Sequence, residues 1–128
     1  MNTTETVDRK ILELSGTALD WAVAKAQRID CINFQQFFVT LDPIVKLADW
    51  DDAAEYSPST KWAQGGPIVQ DNAISVEFTE DEEAEGWLTY IDNEGELFPG
   101  RTALEAVMRC FVGSKFGSSV NIPVLLAA

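Results

Sequence analysis

The chain has 128 residues, 46% hydrophobic and 23% charged, the balance of one globular domain spanning 1–128 and not of a disordered segment. Its net charge of −12 disfavours direct binding to nucleic acid or to an anionic membrane. No stretch approaches the roughly 18 apolar residues of a membrane span, so no membrane partner is expected.

The opening MNTTETVDRKILELSG holds no long apolar run, which argues against a signal peptide and for the cytoplasm. The first helix signal is SGTALDWAVAKAQR. Thr17 is expected as its N-cap, with Asp20 as a carboxylate near the N-terminal end. Leu19, Ala22, Val23 and Ala26 recur on one apolar face, and Trp21 and Lys25, four apart, share another. NFQQFFVTLD reads as a strand whose double phenylalanine blurs the alternation. DPIVKLADWDDAAEY fits one helical turn followed by loop.

YSPSTKWAQGGP, residues 56–67, follows as a long irregular central loop punctuated by Pro58, Gly65-Gly66 and Pro67. AISVEF then places Ile74, Val76 and Phe78 on one side and Ser75 and Glu77 on the other. With WLTYI it makes a β-hairpin around the acidic loop TEDEEAEG. DNEGE is a second turn, and PGR breaks the chain before the next helix.

RTALEAVMRCFVGSKFG is the strongest helix. Thr102 and Glu105 form a capping box, Leu104, Val107, Met108 and Phe111 make the apolar face, and Glu105 and Arg109 pair four apart. Gly117 stops it. SSVNIPVLLAA adds a short terminal strand. The expected fold class is α+β: a small single domain with two main helices packed on a short antiparallel sheet, and a long irregular central loop.

Three stretches, ALDWAVAKA (18–26), YSPSTKWAQGGPI (56–68) and ALEAVMRCFVGSKFG (103–117), together resemble the phage NinX family. The central motif is the most specific of the three. The chain departs from the family's usual pattern at Lys61, where an acid is common, and at Ala103, where proline is frequent. The resemblance implies a phage origin, hence the host bacterial cytoplasm, and an architecture of central loop and late helix. It implies no particular activity.

Charge is distributed unevenly. Between Asp42 and Glu96 stand fifteen acids against two bases, Lys46 and Lys61, a net of −13, while the rest of the chain is nearly neutral. There is no histidine, which removes Ser–His and Cys–His nucleophile pairs and the commonest metal ligand. Cys31 and Cys110 show no CxxC spacing and read as reduced core thiols. An enzyme is therefore the weaker reading, and no cofactor is expected.

The central loop is the stronger candidate. Gly65 and Gly66 let backbone amides approach a ligand. Ser57, Ser59 and Thr60 donate and accept, Tyr56 and Trp62 offer flat faces, Gln64 reads a polar edge, and Lys61 supplies charge. Trp21, Lys25 and Arg109 would complete an anion-binding site if their helices pack against the loop. This set fits a small polar, nucleotide-like molecule, and a phage protein of this kind would sequester a nucleotide-derived signal of host defence. The same groups would also serve simply to fold the loop on itself.

Two further readings stay open. The acids at 80–85 suit a basic host protein, with the chain as an interaction inhibitor or DNA mimic. Asp49, Asp51, Asp52 and Glu55 would be the oxygen ligands of a metal-dependent hydrolase. The apolar content suffices for a homodimer interface without demanding one.

Overall fold

Helix α3 (Ala103–Phe116) is buried without a break from Leu104 to Val112, so elements must cover it on every side. The computed structural model describes residues 6–27, 31–34, 37–40, 57–80, 85–91 and 95–126. Within these, the order is β1 (Thr6–Lys10), α1 (Gly16–Ala26), β2 (Cys31–Phe34), β3 (Phe37–Thr40), α2 (Trp62–Asn72), β4 (Ser75–Phe78), β5 (Trp87–Tyr90), β6 (Phe98–Gly100), α3 and β7 (Ser119–Pro123). Short 3-10 turns follow β1 and β7. The fold class is α+β.

One wall of the shell around α3 is the antiparallel sheet β4-β5-β6. Val76 pairs with Thr89 and Thr89 with Phe98, so these three share the face turned to the helix. The buried Thr89 hydroxyl lies 2.8 Å from the carbonyl of Ala106 and 3.0 Å from that of Phe98, joining sheet to helix. β6 comes closest: a Cβ built on Gly100 would stand 2.4 Å from the Ala106 nitrogen. Gly113 of α3 receives the Phe98 ring in the same way.

A second wall is α1, buried continuously from Leu19 to Ala24. Its small residues Ala22, Val23 and Ala24 let it lie close to α3. Beside it β1 and β7 pair antiparallel, Val7 opposite Ile122 and Arg9 opposite Val120. The amide of Ile11 extends that ladder to the Ser118 carbonyl at 2.9 Å, which buries Ile11 and Leu14. Each such aliphatic side chain stabilises by about 1.5–3 kcal/mol when removed from water.

Four sequence expectations need correction or addition. α1 starts at Gly16 with Ser15, not Thr17, in the cap position, and Ser15 makes no side-chain capping bond. NFQQFFVTLD is not one strand. β2 and β3 pair antiparallel with Phe34 opposite Phe37, and the double phenylalanine opens β3. Residues 62–67 are not irregular loop: Trp62 opens α2, and Pro67 stands inside it. The PGR break is preceded by a strand, β6, that the Phe-Pro-Gly sequence conceals. The capping box does form: the Glu105 amide reaches the Thr102 hydroxyl at 3.0 Å, and Gly117 ends the helix at φ +87°. The DPIVKLADWDDAAEY reading lies outside the described residues.

Candidate functional site

Ser57 and the residues after it form a hydrogen-bonded turn. The Ser57 carbonyl accepts the amides of Thr60 at 3.1 Å and Lys61 at 2.9 Å, with Pro58 setting the bend. Lys61 then adopts extended dihedrals, and its carbonyl accepts the amides of Gln64 and Gly65 to begin α2. Gln64 folds back so that its Oε1 takes the Ser57 amide at 2.5 Å. The Ser57 and Thr60 hydroxyls are bonded to each other.

This turn is fixed to α1 by Asp20, which the sequence reading placed only as a carboxylate near the N-terminal end of that helix. Asp20 is only 3% exposed. Its Oδ1 accepts the Ser59 amide at 2.8 Å and its Oδ2 accepts the Ser57 hydroxyl at 3.2 Å. A buried carboxylate requires such donors, and hydrogen bonds to a charged group are the stronger kind. The signal was present in ALDWAVA, a lone acid flanked by apolar residues in a helix buried on nearly all sides. Its partners, 37 and 39 residues away, were not readable.

α2 has poor intrinsic helicity. Two glycines at roughly 1 kcal/mol each and a proline at roughly 3 kcal/mol weigh against it. Tertiary packing overrides this. A Cβ on Gly65 would lie 2.6 Å from the Pro58 carbonyl oxygen and 2.7 Å from Leu104 Cδ2, so only glycine lets α2 settle between the turn and α3. Ile68 is buried on the same side, and Val69 packs beside it. Gly66 next to it faces open space. Gly65→Ala is therefore expected to destabilise by about 1–3 kcal/mol, and Gly66→Ala to be neutral or slightly stabilising. Urea unfolding of the two variants checks the contrast. Equal effects would contradict the close approach at Gly65.

The other expected site residues divide into three groups. Trp62 is 58% exposed at the start of α2, with Lys61 exposed beside it, so Trp62 is not a core plug. Trp21 is fully buried, and the Lys25 ammonium stands 5.3 Å from its ring centroid and 5.7 Å from that of Phe116. Tyr56 lies outside the described residues.

Arg109 is turned to other partners. Its side chain, 5% exposed, donates to the carbonyls of Leu14 (3.0 Å) and Pro99 (3.0 Å), to Glu85 (2.9 Å), and pairs with Glu105 (3.2 Å). It thus ties α3 to the segment before α1, to β6 and to the end of the acidic hairpin loop. Glu85, its hairpin partner, has φ +59°, uncommon for a residue with a side chain. Burial works to raise the Glu105 carboxyl. Hydrogen bonds from the Arg101 side chain and backbone, with the charges of Arg109 and Arg101, overcome it and hold Glu105 below the ordinary carboxylate range.

Two buried polar atoms have no hydrogen-bond partner among the described residues: Ser59 Oγ, in the turn anchored to α1, and Trp21 Nε1, within α1. The Ser59 amide is bonded to Asp20, whereas the Trp21 ring shares the Lys25 ammonium with Phe116. Elsewhere, burial pushes the Cys110 thiol up to about 11, partly offset by the Thr89 hydroxyl, so at neutral pH it stays protonated and a poor nucleophile. No group of acids or cysteines among the described residues could hold a metal, and Asp49, Asp51, Asp52 and Glu55 lie outside them. Among the described residues no helix is long and apolar enough to cross a membrane.

Compared with known proteins, residues 10–115 match the family model described as Bacteriophage P22, NinX. No curated protein matches the chain.

Proposed function

The chain belongs to the phage NinX family, and from that premise we propose that it is a phage accessory protein binding a small polar, nucleotide-like ligand where α1 meets residues 57–64. The reading is carried by the buried Ser59 hydroxyl of that turn, which has no hydrogen-bond partner among the described residues. Native proteins pair nearly all such groups, because each one left unmade costs about 1–3 kcal/mol. A ligand offering a polar edge to the Ser59 hydroxyl would recover that cost. The exposed Trp62 ring and the neighbouring Lys61 suit the planar base and the anionic group of a nucleotide. Binding without turnover, as in sequestering a host-defence signal, is the role such a site would serve in a phage protein.

The test is a thermal-shift and calorimetric screen with nucleoside monophosphates, ADP-ribose and cyclic dinucleotides. At about 100-fold excess over Kd a true ligand raises Tm by roughly 5 °C or more. Chromatography should return it chemically unchanged. Ser59→Ala should leave the free protein as stable or more so, since an unpaired polar atom is removed, while shrinking the ligand-induced shift. Lack of any shift across the whole panel would sink the proposal, as would a Ser59→Ala variant that is less stable when free.

A further inference from the structure

Phe78 occupies a core-facing register yet is not covered. It pairs with Trp87, and Trp87 with Gly100, which lies on Ala106 of α3. By strand alternation Phe78 and Trp87 are therefore on the same face as Val76 and Thr89, the face turned to the helix. Val76 packs against the core and Thr89 is buried there, but Phe78 is 66% exposed. The two rings meet edge to face, centroids 5.3 Å apart at 73°. Phe78 ends β4, an edge strand of its sheet, and Trp87 begins the neighbouring β5.

Charge selects the occupant. The connection from Phe78 to Trp87, TEDEEAEG, has five acids and no base. Of these Glu85 is engaged by Arg109, whereas Glu80 is exposed. Glu77 points to the opposite face, where it holds the Tyr90 hydroxyl at 3.0 Å. Lysines stand over Trp21, Phe111 and Phe116, but no cation of the described residues stands over Phe78 or Trp87. A second copy of the chain would bring the same acidic loop against itself in a two-fold contact. An aromatic pair joined by a connection of five acids and no base matches a guanidinium, which stacks on ring faces and pairs with carboxylates together.

We propose that Phe78 and Trp87 form a docking surface for an arginine-bearing segment of a basic protein. The surface is separate from the α1–turn junction and does not depend on ligand binding there. Fluorescence anisotropy with labelled nona-arginine and nona-lysine tests it on the full chain. Charge attraction alone treats the two peptides alike, and stacking does not. The arginine peptide is expected to bind about threefold tighter or more, and both affinities should fall with salt. Phe78→Ser, at an exposed position, should keep the fold and abolish the preference. Joint replacement of Glu80, Glu82 and Glu83 by glutamine should weaken both peptides while leaving their ratio intact. Equal binding of the two peptides, failure of both to bind, or a preference that survives Phe78→Ser overturns the proposal. Sedimentation showing a dimer that Phe78→Ser splits would overturn it in favour of self-association.

Discussion

Replacing Arg109 with leucine is expected to lower the stability of the fold by about 3–5 kcal/mol, the usual range for breaking a buried ion pair from one side. The guanidinium serves two carbonyls and two carboxylates at once. Leucine fills some of the space but leaves the Leu14 and Pro99 carbonyls without this donor. Glu105 would keep Arg101 and lose its more deeply buried cation. Lysine should not rescue the loss, because one ammonium cannot span acceptors arranged around a planar fork. Glu85→Gln should cost far less, since the Glu85 side chain is 41% exposed and water replaces what is lost.

The deficit should also depend on pH. Glu105 is held below its ordinary value, so its contribution is present above the unfolded carboxylate pKa of about 4.3. It is lost as pH falls through the depressed folded value. The gap between wild type and Arg109→Leu should therefore be full at pH 7 and narrow in strong acid. Urea midpoints at several pH values measure this. A gap below about 1 kcal/mol at pH 7 would mean that the network is not what holds these elements together.

Gly100→Ala is the second large effect. The new methyl would stand 2.4, 2.7 and 2.8 Å from N, Cα and Cβ of Ala106. Two of those atoms are helix backbone, which cannot yield without moving α3. Nor can β6 withdraw freely, because Gly100 pairs with Trp87 and the Phe98 carbonyl accepts the Thr89 hydroxyl. An overpacked contact of this kind costs about 3 kcal/mol, lowering Tm by roughly 10 °C. Differential scanning calorimetry beside Gly66→Ala, which adds its methyl to open space, gives the comparison. A Tm within 2 °C of wild type, a tolerance set at about half the shift for 1 kcal/mol, would show that β6 and α3 separate more easily than their contact suggests.

What could be read in advance followed the range of the interactions. α3 was legible from cap to stop, since its Thr102–Glu105 box, its apolar spacing and Gly117 all lie within one stretch. The β4–β5 hairpin was legible for the same reason. β1 was not: TVDRK has one aliphatic residue, Val7, and becomes a strand only by pairing with β7 at the far end of the chain. α2 was hidden by its own propensities, because the packing that outweighs Gly-Gly-Pro comes from Leu104 and Met108. At the candidate site the chemistry of Ser57, Ser59, Thr60 and Gln64 was visible. Its direction was not, because Asp20 is supplied from another helix. Arg109 was paired correctly with Glu105, but its reach to Leu14, 95 residues earlier, is invisible to local patterning.

The close seat of Gly65 also bears on the order of assembly. During synthesis α1, with its Asp20, precedes the turn that it will anchor, whereas α3, which supplies Leu104 and Met108, follows α2 by some thirty residues. A segment with two glycines and a proline has little tendency to coil before that later helix arrives. Residues 57–72 would then be the part of the nascent chain that waits, held at one end by a carboxylate and shaped at the other only when α3 closes over it.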